Sequence, residues 1–272
     1  MRQFSLLTIL LAGALAGSLA AAADQAPPAQ SPPKDPAKDA EAAQQYQHCI
    51  ALARTNPDEG WHEGLAWASL GGGEAAHHCQ AVALIGKHQY DEAAVKLETL
   101  ARDSHAKPRI RAGMLAQAGQ AWLLAHQPER AFTDQSAALA LVPGAPDLLV
   151  DRAESQADQK DYDGALRDLN EALTAAPDRV DALTFRATAK RYVGDIDGAK
   201  ADITRALTLD EHYQDAWLED GIQKRNADDT EGARRSWSNV MSLAPQSDAA
   251  ITARRDLELL DSEKDGVLEE PK

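Results

Sequence analysis

The chain has few cations for its length. It carries 28 Lys and Arg against 43 Asp and Glu, a formal net charge of −15. That balance argues against phosphate backbones and anionic membrane surfaces as partners, because both would be repelled. Runs of alternating β-branched residues are also missing, which leaves an all-helical reading. Beyond the N-terminal segment no stretch is apolar enough for a membrane helix. A phosphate-cradling loop is absent as well: Gly71-Gly72-Gly73 has no Lys-Ser/Thr after it and no strand before it, so it reads as a turn. No acid, base and nucleophile stand out together, and the expectation is a chain that is not an enzyme. Cysteine occurs only twice, each time directly after a histidine, in QQYQHCIAL and AAHHCQAVA.

What is present begins with MRQFSLLTILLAGALAGSLAAAADQ. One arginine, an apolar run and a small-residue end form the three-part layout of a secretory signal, with cleavage expected near Ala23. Residues 1–23 are therefore read as a signal peptide and the compartment as the periplasm, with no membrane insertion after cleavage. Residues 24–40, DQAPPAQSPPKDPAKDA, carry five of the thirteen prolines and no large apolar side chain, so they read as a linker.

From Glu41 onward alanine and leucine recur at helical spacing, and an internal repeat appears. Pro143, Pro177 and Pro245 lie 34 or 68 positions apart, with Glu211 at the missing step. Small residues recur at the same period: Ala131, Ala165, Ala199 and Ala233, and before them Gly119, Ala153, Ala187 and Gly221. The segments DYDGALRDLNEALTAAP, DIDGAKADITRALTLDE and DTEGARRSWSNVMSLAP resemble the tetratricopeptide repeat (TPR) family. An upstream unit, HQYDEAAVKLETLA, fits with a few extra residues after it. The resemblance implies a right-handed α-solenoid of stacked helix-turn-helix units, in which neighbours share one continuous core. The expected organisation is a degenerate helical unit at 41–73, repeats at 74–247, a capping helix at 248–261 and a solvated acidic tail at 262–272.

Cys49 and Cys79 then fall on first helices of adjacent units, close to one repeat apart. In an exported protein the expected state of such a pair is a disulfide. The alternative is a periplasmic metal-binding or thiol-redox protein using the His-Cys pairs at 48–49 and 77–79. Adjacent helical residues diverge by about 100°, however, which makes His48 and Cys49 a poor pair of ligands. No metal or other cofactor is expected. Arg152 and Arg186 recur at the repeat period, as do Asp168 and Asp202, and these read as salt bridges between helices.

In the family, ligands lie along the groove lined by the first helices. Mapped by repeat position, the partner-binding residues here are Leu123, Leu124, Glu154, Asp158, Thr188, Arg191, Tyr192, Ile222 and Arg225. Arg191 and Arg225 are expected to stand side by side as a fork for a partner carboxylate. The function this implies is a scaffold binding a protein or peptide partner.

Overall fold

Proline, aspartate and glycine punctuate the chain into helices. In the computed structural model, which describes residues 36–264, they are α1 (Pro36–Thr55), α2 (Pro57–Ser69), α3 (Gly73–Gly86), α4 (Tyr90–Asp103), α5 (Pro108–Leu124) and α6 (Pro128–Leu141). There follow α7 (Pro146–Asp158), α8 (Tyr162–Ala175), α9 (Val180–Tyr192), α10 (Ile196–Leu209), α11 (Gln214–Asn226), α12 (Thr230–Leu243) and α13 (Asp248–Lys264). The proposed signal and most of the linker lie outside the described residues. Helix α1 starts at Pro36, inside the stretch read as linker, because a proline at the first position followed by AKDAEAA is a good helix start. Among the described residues there is no strand, and no helix is long and apolar enough to cross a membrane.

Helix starts have two chemistries. Proline occupies the first turn of α2, α5, α6 and α7, where its missing N–H is no loss. In α8, α10 and α12 the N-cap is Asp161, Asp195 or Asp229, whose carboxylate accepts from the N–H of Gly164, Gly198 or Gly232 at 2.9, 3.0 and 2.8 Å. A Cβ on those glycines would lie 2.0 to 2.2 Å from the capping carboxylate, so the DxxG spelling is one device rather than two residues.

Each helix packs on the next from α2 to α13, and the residues from Glu41 onward form one compact unit. The core rests on a small residue facing a large one 16 positions later. Ala153 and Ala187 are buried with Leu169 and Ile203 in one cluster. Gly119 faces Gln135, and Gly221 faces Trp237; an added Cβ would meet them at 2.8 and 2.3 Å. A glycine or alanine on the first helix thus makes room for each second-helix side chain, most evidently at Gly221 under the Trp237 indole.

Ion pairs repeat with the helices. Arg152 grips Asp168 through two bonds of 2.7 Å, and Arg186 grips Asp202 at 2.8 and 2.7 Å, as the repetition in the sequence predicts. One unit later the roles change: Asp220 accepts from Ser236 at 2.5 Å and pairs with Lys224 at 2.6 Å. One unit earlier the acid remains, as Asp134, but Ala118 stands where the arginine would be.

At the N-terminal end Cys49 and Cys79 are joined in a disulfide with Cα atoms 6.0 Å apart, both fully buried. Trp67, Ala53, Ala76 and Ala83 surround it. At the other end α13 lays Ala249, Ala250, Ala253 and Leu260 over Trp237 and Val240, closing the core that α12 leaves open.

Candidate functional site

The first helix of each unit presents a stripe of side chains on one wall, which α3, α5, α7, α9 and α11 build together. The repeat is regular except at one place. Second helices start at 90, 128, 162, 196 and 230, a step of 38 followed by steps of 34. The four additional residues form one extra turn at the start of α5, which has 17 residues where α7, α9 and α11 have 13. Four residues are close to one helical turn, so the phase of α5 is kept and the added turn simply overhangs the wall.

That turn, Pro108–Arg111, borders two cavities. The larger, about 450 Å³, lies between α1, α3 and α5 and is lined by Tyr46, His78, Ile110, Gly113 and Met114, with Arg109 and Glu74 at its edge. The smaller, about 220 Å³, continues between α5 and α7 past Arg109, Gly113 and Ala116 to Leu148 and Asp151. Gly113 borders both, and a Cβ there would meet nothing within 4 Å. A mid-helix glycine costs about 0.5–1 kcal/mol relative to alanine, and here neither packing nor backbone angle requires it.

Polar side chains frame this groove. His78 accepts from the Tyr46 hydroxyl at Nδ1 and donates from Nε2 to Gln117, both at 2.9 Å, which ties α1, α3 and α5 together. That pattern needs the neutral ring, and burial holds the imidazole below its ordinary range. On α7, Gln120 of the preceding unit donates to Asp151 at 3.2 Å and to Glu154 at 3.1 Å. Burial, then the Glu154 charge, pushes Asp151 up to about 6. Burial raises Glu154, Asp158 and Asp215 in the same direction. Each of these carboxylates is thus harder to ionise than an exposed one, a consequence of crowding acids on a half-dry surface.

The residues expected from sequence fare unequally. Leu124 is 48% exposed, Asp158 is exposed, and Glu154 is half-buried beside Gln120. Leu123 and Ile222 sit partly in the core, packed on the Trp122 and Trp237 clusters. Arg191 is not an open fork. Its Nε and Nη2 already hold Glu219 of α11 at 2.7 and 3.0 Å, and Thr188 donates to the same carboxylate at 3.0 Å. Glu219 is 4% exposed, and without this partner it would be an uncompensated buried charge. Arg191 thus braces α9 to α11, which corrects its expected role as an anchor for a partner's carboxylate. Arg225 lies half-buried in the last turn of α11. Tyr192 is 55% exposed and stacks on Tyr162 with ring centres 4.3 Å apart, an aromatic pair at the turn edge.

Among the described residues no group of three or more His, Cys, Asp or Glu is arranged to hold a metal ion. Both thiols are consumed by the disulfide, so they offer no thiolate for metal or redox chemistry as they stand.

Neither a protein-family model nor a curated protein matches the chain. Solved structures do. MamA (residues 41 to the end) from Desulfovibrio magneticus RS-1 is similar with a TM-score of 0.52 and 21% identity, over 64% of this chain and 97% of that one. The APC/C hetero-tetramer Cut9-Hcn1 is similar with a TM-score of 0.59 and 13% identity, over 80% of this chain and 46% of the other. The fold is a tetratricopeptide-repeat solenoid. YrrB, a TPR protein with an unusual peptide-binding site, is a looser match with a TM-score of 0.46 and 17% identity, over 66% of this chain and 91% of that one. The TPR array here comprises the five pairs from α3–α4 to α11–α12, with α1–α2 before them and α13 after.

Proposed function

We propose that this protein is an exported, non-enzymatic scaffold that holds a protein or peptide segment along the wall of its first helices. The observation that carries this reading is the extra turn of α5. It breaks an otherwise regular 34-residue repeat and borders two cavities that share Arg109 and Gly113, where an added Cβ would meet nothing within 4 Å. Glu154, Asp158 and Leu124 extend the same wall, so the segment accepted there is mixed or basic with apolar side chains. The signal-like start and the buried disulfide support an oxidising compartment, the periplasm.

The experiment is affinity capture from the native envelope followed by titration of the recovered partner against Gly113→Trp. Gly113 is mid-helix beside open space, so the indole blocks the groove while helicity and melting temperature stay unchanged. The expected result is binding at least about tenfold weaker, with wild-type binding unaffected by EDTA. Equal binding by the variant rejects the groove, and loss on chelation favours a metal-dependent role. N-terminal sequencing of the envelope form tests export, with a start just after Ala23 expected.

A further inference from the structure

Another cavity lies elsewhere, on the side of the array formed by the second helices. It measures about 810 Å³ and opens between α2 and α4 over α3. Its walls are apolar: Trp61 of α2, Leu84 of α3, and Val95 and Leu100 of α4. Leu84 and Leu100 are buried at its floor, while Val95 is 46% exposed at its mouth. Nothing in the repeat explains an exposed valine facing a tryptophan across open space, since facing apolar side chains normally close on each other.

Acidic side chains outnumber basic ones around this cavity. Glu74, Asp91, Glu92 and Asp103 line it, against Lys96 and His77. Lys96 offsets at most one of these four carboxylates; its ammonium donates to the buried Gln80 at 3.0 Å and lies 5.9 Å from the Trp61 ring centre. Asp103 pairs with its own neighbour Arg102 at 2.9 Å, while Glu74 accepts from the Ser104 hydroxyl at 2.7 Å and Asp91 from the Gln127 amide, both neutral donors. The cavity exceeds what one side chain fills. A chain with net charge −15 is a poor occupant for an acidic site, which argues against a second copy.

We infer that this outer cavity is a second docking site, independent of the inner groove, for a basic amphipathic helix of a partner protein. Its apolar face enters between Trp61 and Val95, and its Lys or Arg side chains meet Glu74, Asp91, Glu92 and Asp103. A site of this kind gives the protein two faces with different partners, joined through the closed N-terminal end of the solenoid.

The probe is a fluorescein-labelled synthetic helix of about sixteen residues with one leucine face and one lysine face, titrated by anisotropy into the disulfide-bonded protein. Val95→Trp, which fills the mouth from an exposed position, is expected to weaken binding about tenfold, and Thr99→Trp serves as a second filling variant should the first misfold. The pair Asp91→Asn with Glu92→Gln is expected to weaken binding and flatten its salt dependence. Gly113→Trp, on the inner wall, should leave it unchanged, and a matching helix with glutamate in place of lysine should not bind. Undiminished binding by both filling variants overturns the proposal, as does equal binding of the acidic helix. Loss with Gly113→Trp alone moves the probe to the inner groove, which overturns this site while sparing the reading of that groove.

Discussion

Asp134 occupies the position at which Asp168 and Asp202 receive an arginine, but its own unit offers Ala118 there. One carboxylate oxygen is buried with no hydrogen-bond partner among the described residues. Glu98 stands nearby, itself held by the Trp122 N–H at 2.7 Å and approached by Arg130 at 3.7 Å. Burial first, then the Glu98 charge, pushes Asp134 up to about 7. The folded state thus binds this proton more tightly than the unfolded chain, whose aspartates titrate near 4. Its contribution to stability is complete below that value and is lost as pH rises through about 7. Asp134→Asn keeps the neutral shape at every pH. It should gain on wild type as pH rises from 5 to 8, by an amount on the order of 2 kcal/mol, in parallel thermal or urea titrations. A constant difference between the two pH values would mean that Asp134 stays ionised throughout.

Helices α9 and α11 contact each other as neighbouring first helices do, and Arg191–Glu219 is the polar part of that contact. The guanidinium also lies 4.5 Å from the Tyr192 ring centre, so one side chain serves two contacts. Arg191→Ala leaves a carboxylate that is 4% exposed with only Thr188 and Gln223 as donors. The expected loss is about 2–3 kcal/mol of stability by urea denaturation, largely recovered by the further change Glu219→Gln. If Arg191→Ala leaves stability intact while reducing partner binding, the arginine is an anchor after all. The sequence alone pointed the other way because Arg191 and Glu219 are 28 positions apart. That is less than one repeat, so the pair joins first helices of adjacent units at a separation the 34-residue period does not announce. Arg152–Asp168 and Arg186–Asp202 were legible because they join two helices of one unit, at a separation that recurs unchanged.

An array of this kind is stabilised by contacts between nearest neighbours, so its two ends have the fewest. One end is covered by α13, whose Ala250, Ala253 and Leu260 bury Trp237. The other is closed covalently, with 30 positions between Cys49 and Cys79. A loop of that length gives about 3–4 kcal/mol on the chain-entropy account. Reduction, or Cys49→Ser with Cys79→Ser, should lower stability by that amount. Hydrogen exchange should then show protection lost first in α1, α2 and α3, while α7 to α12 remain protected; uniform loss along the chain would count against an end-specific role. The same region holds the outer cavity, so the paired serine variant should also loosen that site.

The sequence by itself determined the all-helical class, the 34-residue unit, the small residues at the helix crossings and the intra-unit ion pairs. All of these are local or periodic: each is decided within one helix-turn-helix, and repetition makes the pattern visible above the noise of single residues. Tertiary structure decided what depends on the angle and offset between units. It committed Arg191 to Glu219 and buried one Asp134 oxygen without a hydrogen-bond partner among the described residues. It also turned four additional residues into one overhanging turn of α5, and opened a cavity between α2 and α4 that no motif announces. Cavities are what packing fails to fill, and that is a property of several helices at once, which no single stretch of sequence encodes.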